Sequence, residues 1–417
     1  MRGSAKLGVL RHRQFRWFFA SGVTNTLGSM MTPIALAFAV LSIDNSAGAL
    51  AKVLAVEMTA NIIFVLFGGV VSDRLPRRLV LQTCRIAMAI VLGALAALMF
   101  TGHATIGWFM LLGGLAGGIS AFSMPALQGI VPQLVPAGEL QEANALMSFV
   151  RNGSNFLGPA LGSALVVAGG PQWAFVIDAL TFVASSLLLL PVSLPPPAKG
   201  ATSFIADLRT GWGEFRSRTW LWVIVLAFSV LNAIQSGAIG VLGPVIAKNH
   251  DSLGIKGWGL VLSAEAVGML LMSLVLLRIR LNRPLLSGML GISLFSVVIL
   301  MLGLDPMTIP LMAVAFIGGA GIETFGTGWN VAMMQNVPGD VLSRVVSYDM
   351  LGSFVAMPVG MLLFGWLATV APTETVLVVA GIVYAAVALS TLLVPSVRNL
   401  RQRSDESATQ AALSLPD

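Results

Sequence analysis

The fold class this sequence predicts is an all-α membrane protein of twelve spans, and three observations predict it. First, only 10% of the 417 residues are charged while 56% are hydrophobic. A soluble domain carries about 25% charged residues, so this chain cannot cover a water-facing surface. Second, the apolar residues gather into twelve runs, each near the length of about 20 residues that crosses a bilayer as a helix. Third, the basic residues between the runs are one-sided. Threaded through twelve spans, Lys52, Lys248 and Lys256 alone of the 24 Lys and Arg fall on the side opposite the N-terminus, leaving 21 on the N-terminal side. That bias assigns the N-terminal side, and with it both termini, to the cytoplasm of a multi-pass inner-membrane protein.

The elements follow in order. Span 1 covers 16–42. Arg11, Arg13 and Arg16 before it look like the charged start of a signal peptide, but the apolar run reaches about Val40. A signal peptide's apolar region is only about 7–15 residues, so the segment reads as a retained first span. Spans 2 to 6 are expected at 49–72, 79–100, 104–128, 141–168 and 172–192. A polar stretch, 193–219, opens with "SLPPPAKG" and carries Lys199, Arg209, Arg216 and Arg218. Its prolines disfavour helix and its charges hold it in water, so it reads as a cytoplasmic central loop. Spans 7 to 12 are expected at 220–247, 257–277, 285–304, 308–333, 344–369 and 374–394. The domain plan is therefore a six-helix half over 1–192, the loop over 193–219, a second half over 220–395, and a cytoplasmic tail over 396–417 that is expected to be disordered.

Composition also excludes. Cys84 is the single cysteine, so no intrachain disulfide forms. His12, His103 and His250 stand far apart, without metal-ligand spacing. The formal net charge of +6 would suit nucleic acid, but these arginines lie between apolar runs and match lipid headgroups instead. The glycine-rich stretches "GGLAGGIS" (Gly113–Ser120) and "GGAGIETFGTG" (Gly318–Gly328) lack the Lys-Ser/Thr ending of a phosphate-binding loop. They read as sites of close helix packing, and their lack of nucleotide chemistry favours a secondary transporter over an ATP-driven pump. No enzymatic motif, metal site or cofactor is expected, and the chain is read as a monomer whose partners are lipid, protons and a small molecule.

A weak internal repeat supports the two halves. A shift of 202 residues lays Gly117 on Gly319, Gln133 on Gln335, Val135 on Val337, Pro136 on Pro338, Leu140 on Leu342 and Gly158 on Gly360. Two six-helix halves related by a parallel repeat form a transporter architecture, with the substrate site between them near the midplane.

The stretch "GGVVSDRLPRR" (Gly68–Arg78) sits between spans 2 and 3. Anchoring by positive charge explains Arg74, Arg77 and Arg78 but not Asp73, because an acid at the lipid boundary is costly without a cation or a helix N-terminus to face. The pattern Gly69-x-x-x-Asp73-Arg74-x-x-Arg77-Arg78 resembles the signature loop of the major facilitator superfamily. The resemblance implies a gating contact that holds the cytoplasmic side closed, with Asp73 facing the start of span 11. Pro76 replaces the family's usual glycine. The equivalent stretch of the second half, Leu274–Leu285, keeps its arginines but has neither the glycine nor the acid. Three further stretches narrow the resemblance: "LRHRQFRWFFAS" (Leu10–Ser21), Met124–Ser148 and "LSRVVSYDMLGSFVAMPVG" (Leu342–Gly360). They look like the bacterial efflux branch that includes macrolide and enterobactin exporters.

Other residues carry two readings each. "GPALG" is either an ordinary packing kink, with Gly158 and Gly162 allowing close helix approach around Pro159, or a partial match to the antiporter motif of exporters. Acids inside spans are expensive and mark pathways. Glu323 lies mid-span in helix 10, where the repeat partner is Ala121. Asp349 lies about a turn inside helix 11, able to pair with Arg344 or the Asp73 loop. Glu57 and Glu265 occupy matching places in spans 2 and 8. With Asp178 they either reach the outer interface or serve the pathway. Span 1 has no acid and offers Asn25 with Thr24 and Thr26 instead. Arg85 and Arg151 read as snorkelling to headgroups or as partners of substrate or acid. The sequon at Asn152 falls on the cytoplasmic side and is discounted.

These residues and the resemblance together imply efflux of small amphiphilic molecules, drugs or secondary metabolites, by proton antiport with alternating access. The candidate proton or substrate residues are Glu323, Asp349, Glu57, Glu265 and Asn25. The alternatives are a dedicated siderophore or natural-product exporter and, less favoured, a transporter-like sensor or an uptake symporter.

Overall fold

A computed structural model describes residues 8–128, 130–193 and 212–402. Most of the expected central loop and the tail beyond residue 402 lie outside the described residues, as do the side chains of residues 66–74. Helices and short connections make up the described residues, with no strand among them. Twelve long helical segments are α1 (Arg13–Ile43), α2 (Ala47–Arg74), α3 (Arg77–Phe100), α4 (Ile106–Gln128), α5 (Leu140–Gly169) and α6 (Pro171–Leu188), followed by α7 (Thr219–Asn249), α8 (Gly254–Leu276), α9 (Pro284–Leu304), α10 (Thr308–Asn336), α11 (Gly339–Val370) and α12 (Thr373–Ser390). Eleven of them are long and apolar enough to cross a membrane. The exception, α5, is long enough at 30 residues but carries Glu142, Arg151, Asn152 and Asn155.

Local chemistry sets the ends. Gly102 ends α3 at φ 70° and Gly170 turns the chain between α5 and α6 at φ 91°, both conformations that favour glycine. Pro171 and Pro284 open their helices at the first position, where a missing N–H costs nothing. Interior prolines act differently. α1 is interrupted at Met30–Met31, just before Pro33, which cannot donate to the Ser29 carbonyl. α11 is interrupted at Val355–Ala356, just before Pro358. α5 runs on through Pro159. α7 carries a π-helical stretch at Ser236–Leu242.

The packing obeys the repeat. α2 lies on α4 as α8 lies on α10, α3 on α6 as α9 on α12, and α1 on α5 as α7 on α11. The halves meet along two seams, α2 with α11 and α5 with α8, which exchange under the same operation. The glycines aligned in sequence do the same work in space. A Cβ at Gly117 would overlap the carbonyl oxygen of Glu57, and one at Gly319 would overlap that of Glu265. Gly158 packs on Met30 at the break of α1, and Gly360 on Ala233 just before the π-helical stretch of α7. In lipid such close backbone approach supplies the packing that holds helices together.

Candidate functional site

The break in α1 organises the first half. Gly158 and Gly162 of α5 press against Met30 and Met31, so the "GPALG" stretch cradles the interruption. On its other side α5 meets the second half. The space a Cβ would fill at Gly259 of α8 is taken by Ser163 Oγ and the Pro159 carbonyl, and Ser263 Oγ donates to the Phe156 carbonyl at 2.8 Å. Gly158, Pro159 and Gly162 thus lie between the α1 break and the inter-half seam. Within α1, the Thr24 and Thr26 hydroxyls donate to their own helix, to Ala20 at 2.9 Å and Gly22 at 2.8 Å. The Asn25 carboxamide oxygen is buried and accepts no hydrogen bond.

Glu57 faces a cavity of about 460 Å³ lined by α1, α2, α3, α4 and α6. Asn61, Ser120, Ser29, Thr32 and Asp178 line it as well, and Met361 reaches it from the other half. The outer-interface reading fails for Asp178, which is 1% exposed. It is held among hydroxyls, and its depth along α6 gave no sign of the face it takes. The equivalent Glu265 lies partly buried in the second half, beside Tyr384 of α12.

Asp349 sits in a smaller cavity of about 190 Å³ with Phe228, Phe325, Trp329 and Phe354. Its carboxylate accepts from Trp329 Nε1 at 2.9 Å and from Ser353 Oγ at 3.1 Å. In the same cavity Phe228 and Phe325 stack with centroids 4.0 Å apart. Glu323, partly buried midway along α10, accepts from Thr327 Oγ1 at 3.2 Å. Arg151 of α5, in the other half, is a charge that acts on it.

Arg85 corrects another expectation. It does not snorkel: it is 4% exposed and donates to Ser21 Oγ and, at 3.1 Å, to the Ser185 carbonyl. At the signature loop, Pro76 precedes α3, and Arg78 Nη2 donates to the Leu190 carbonyl at 2.7 Å, within its own half. Gly69 is helical within α2, while the side chains of Asp73 and Arg74 lie outside the described residues.

One cluster had no sequence signal because its members are far apart in the chain. Glu139, between α4 and α5, takes His12 Nε2 at 2.8 Å and the guanidinium of Arg11. The His12 hydrogen bond, helped by Arg11, holds the Glu139 carboxyl below its ordinary value. Nearby, the Val9 amide donates to Glu142 at 3.2 Å. Two of the stretches that carried the resemblance therefore touch each other. Among the described residues no group of three His, Cys, Asp or Glu is placed to hold a metal ion.

The sequence pattern of the transmembrane secretion effectors matches residues 4–415. The chain belongs to that family. It is a member of the major facilitator superfamily and a multi-pass membrane protein. It is 30% identical to the enterobactin exporter EntS of Shigella boydii over 200 residues, 47% of each chain. It is 23% identical to the uncharacterized MFS-type transporter YkuC of Bacillus subtilis over 243 residues, 55% of this chain and 56% of that one. Each match spans about half the length of these relatives. Two solved structures share the fold. A bacterial homologue of the iron transporter ferroportin, in an inward-facing state, superposes with TM-score 0.71 at 15% identity, covering 91% of this chain and 98% of that one. A bacterial homologue of the lysosomal transporter Spinster, inward-facing and occupied, superposes with TM-score 0.72 at 14% identity, covering 97% and 100%. At these identities the likeness is one of fold alone.

Proposed function

We propose that this protein exports small amphiphilic molecules, drugs or secondary metabolites, across a bacterial inner membrane in exchange for protons. The observation that carries the proposal is Glu323, an ionisable group inside α10 on which a charge of the other half, Arg151, acts. Rocking the halves changes that separation, and with it the affinity of the carboxyl for a proton. The affinity therefore depends on which face is open, which is the requirement for coupled exchange by alternating access. The close inter-half contacts support a rocking seam. Gly365 meets Ala47, Gly48 and Ala51, Lys248 reaches the Leu41 carbonyl, and Asn45 bonds Asn249 at 3.3 Å, all at the ends of helices remote from the N-terminal face.

In this proposal the halves 1–192 and 220–395 move as two bodies, joined by 193–219, with the loop, the tail and both termini in the cytoplasm. Asp349 and its aromatic cavity contact substrate, Glu57, Glu265 and Asn25 serve the pathway, and Asp73 with Arg74, Arg77 and Arg78 closes the cytoplasmic side. The protein works as a monomer. A dedicated siderophore exporter is the second reading, favoured by the likeness to the enterobactin exporter.

A pump-deficient host expressing the chain, challenged with a panel of toxic amphiphiles, separates the two. Resistance to several unrelated compounds supports the first reading. Export of one siderophore without any resistance selects the second. Neither result would remove efflux from consideration. Topology has its own test: cysteines at Ser4, Ser203 and Ser407 in a Cys84→Ala background should react with an impermeant maleimide only after permeabilisation.

A further inference from the structure

Asp178 has no place in the export proposal, yet it is the most deeply buried acid among the described residues. A carboxylate in the apolar interior persists only with compensation. Its surroundings supply oxygen atoms rather than a basic side chain. Thr32 Oγ1 donates to Oδ2, and Thr181 Oγ1 lies 3.1 Å from Oδ1. Thr181 Oγ1 also lies 2.8 Å from the Asp178 carbonyl, so its one proton is divided between two acceptors. The Ser29 hydroxyl faces the same carboxylate. Its oxygen is buried without closing a well-formed hydrogen bond.

The backbone adds to the set. Ser29 ends the first segment of α1, and Pro33 leaves its carbonyl without the usual donor. Gly28 brings α1 against the acid: a Cβ there would overlap Thr181 Oγ1 and lie 2.5 Å from Asp178 Oδ1. An interrupted helix whose freed carbonyl end meets an acid and hydroxyls is the arrangement in which membrane transporters coordinate small cations. The cavity that reaches this point is lined by two acids, Asp178 and Glu57, and by no basic residue among those described.

We infer that Asp178, Ser29, Thr32 and Thr181 form a binding site for a small monovalent cation, with sodium as the fitting ion. The donors are hard oxygens, which suit alkali and alkaline-earth ions and not soft metals. One carboxylate with neutral hydroxyls balances a single positive charge, whereas calcium sites gather several carboxylates and carbonyls. On binding, each hydroxyl turns its proton outward and presents a lone pair. The site ties α1 at its break to α6, inside one half.

Radioactive sodium binding to the purified full-length protein in lipid nanodiscs tests this, with ionic strength held constant by choline. The expected result is saturable binding of about one ion per chain, displaced by unlabelled sodium and not by choline. Asp178→Asn and Thr32→Val should each weaken it by about tenfold or more, the scale of losing a charge-assisted contact. Thr32→Ser, which keeps the oxygen, should retain it. If Asp178→Asn does not yield a monodisperse protein, Thr32→Val against Thr32→Ser decides alone. Absence of saturable binding in the wild type overturns the site, as does binding that Thr32→Val leaves unchanged. Because the readout is binding without transport, the result stands whether or not the export proposal survives.

Discussion

The two halves treat the same place differently. In the first, Glu57 of α2 looks onto a cavity bordered by Phe182 and Asp178 of α6. A shift of 202 residues carries Phe182 onto Tyr384 and Asp178 onto Ala380. In the second half Tyr384 is fully buried, its ring 5.9 Å from that of Phe295, with Glu265 beside it. One half keeps a cavity open beside its aromatic residue, where the other half buries the ring. The glycines that set the helix spacing, Gly117 and Gly319, are nonetheless paired. Backbone packing is shared between the halves, then, and the chemistry is divided. The first half holds the buried Asp178 network, while the second holds Glu323, whose partner by the repeat is Ala121, and Asp349, whose partner is Met147.

The largest effect should come from the division of acids. Glu323→Gln keeps shape and cannot release a proton, so extrusion driven by a pH gradient in reconstituted vesicles should be abolished. Binding of a neutral substrate and downhill exchange should persist. Wild-type efflux at every imposed gradient would remove Glu323 as the coupling residue and shift attention to Asp349 or Glu57.

The shared packing is next. Gly117→Val and Gly319→Val each drive a branched side chain into a backbone carbonyl of the neighbouring helix. Overpacking costs about 1–3 kcal/mol and more where nothing can yield, so both should lose folded protein on size-exclusion chromatography to a similar extent. Tolerance of one alone would show that the halves do not share this contact.

The void against the ring gives a smaller, graded difference. Tyr384→Ala should cost about 3–5 kcal/mol, the range for emptying a packed aromatic site. Phe182→Ala, bordering a space already open, should cost clearly less. Equal losses in thermal unfolding would mean that the first-half cavity is not open in the folded protein.

The smallest effect lies in a cluster whose central acid, Glu139, falls on Val341 in the second half. Glu139 is held below its ordinary value chiefly by His12, then by Arg11. A group depressed in the folded state contributes stability above its unfolded value and loses it as pH falls through the folded value. Wild type and Glu139→Gln should therefore differ slightly in thermal midpoint at neutral pH and converge below the carboxylate range. A difference that grows in acid would reverse the assignment.

The sequence by itself determined the number, order and limits of the spans, because a bilayer sets one length for an apolar helix. Expected limits of 141–168 and 308–333 became Leu140–Gly169 and Thr308–Asn336. It also determined the repeat, since a glycine under a neighbouring carbonyl admits no side chain, and the 202-residue register of Gly117 with Gly319 survived in space. The depth of Glu323 along its helix was likewise legible. What depth cannot reveal is facing. Asp178 and Arg85 were placed at membrane boundaries by their distance from helix ends, yet both are buried, because rotation about the helix axis and the approach of α1 decide what a side chain meets. The pairing of Glu139 with Arg11 and His12 needs residues more than a hundred positions apart to arrive at one point. Only the packed bundle decided that, and only it left a cavity open beside Phe182 in one half where the other half buries Tyr384.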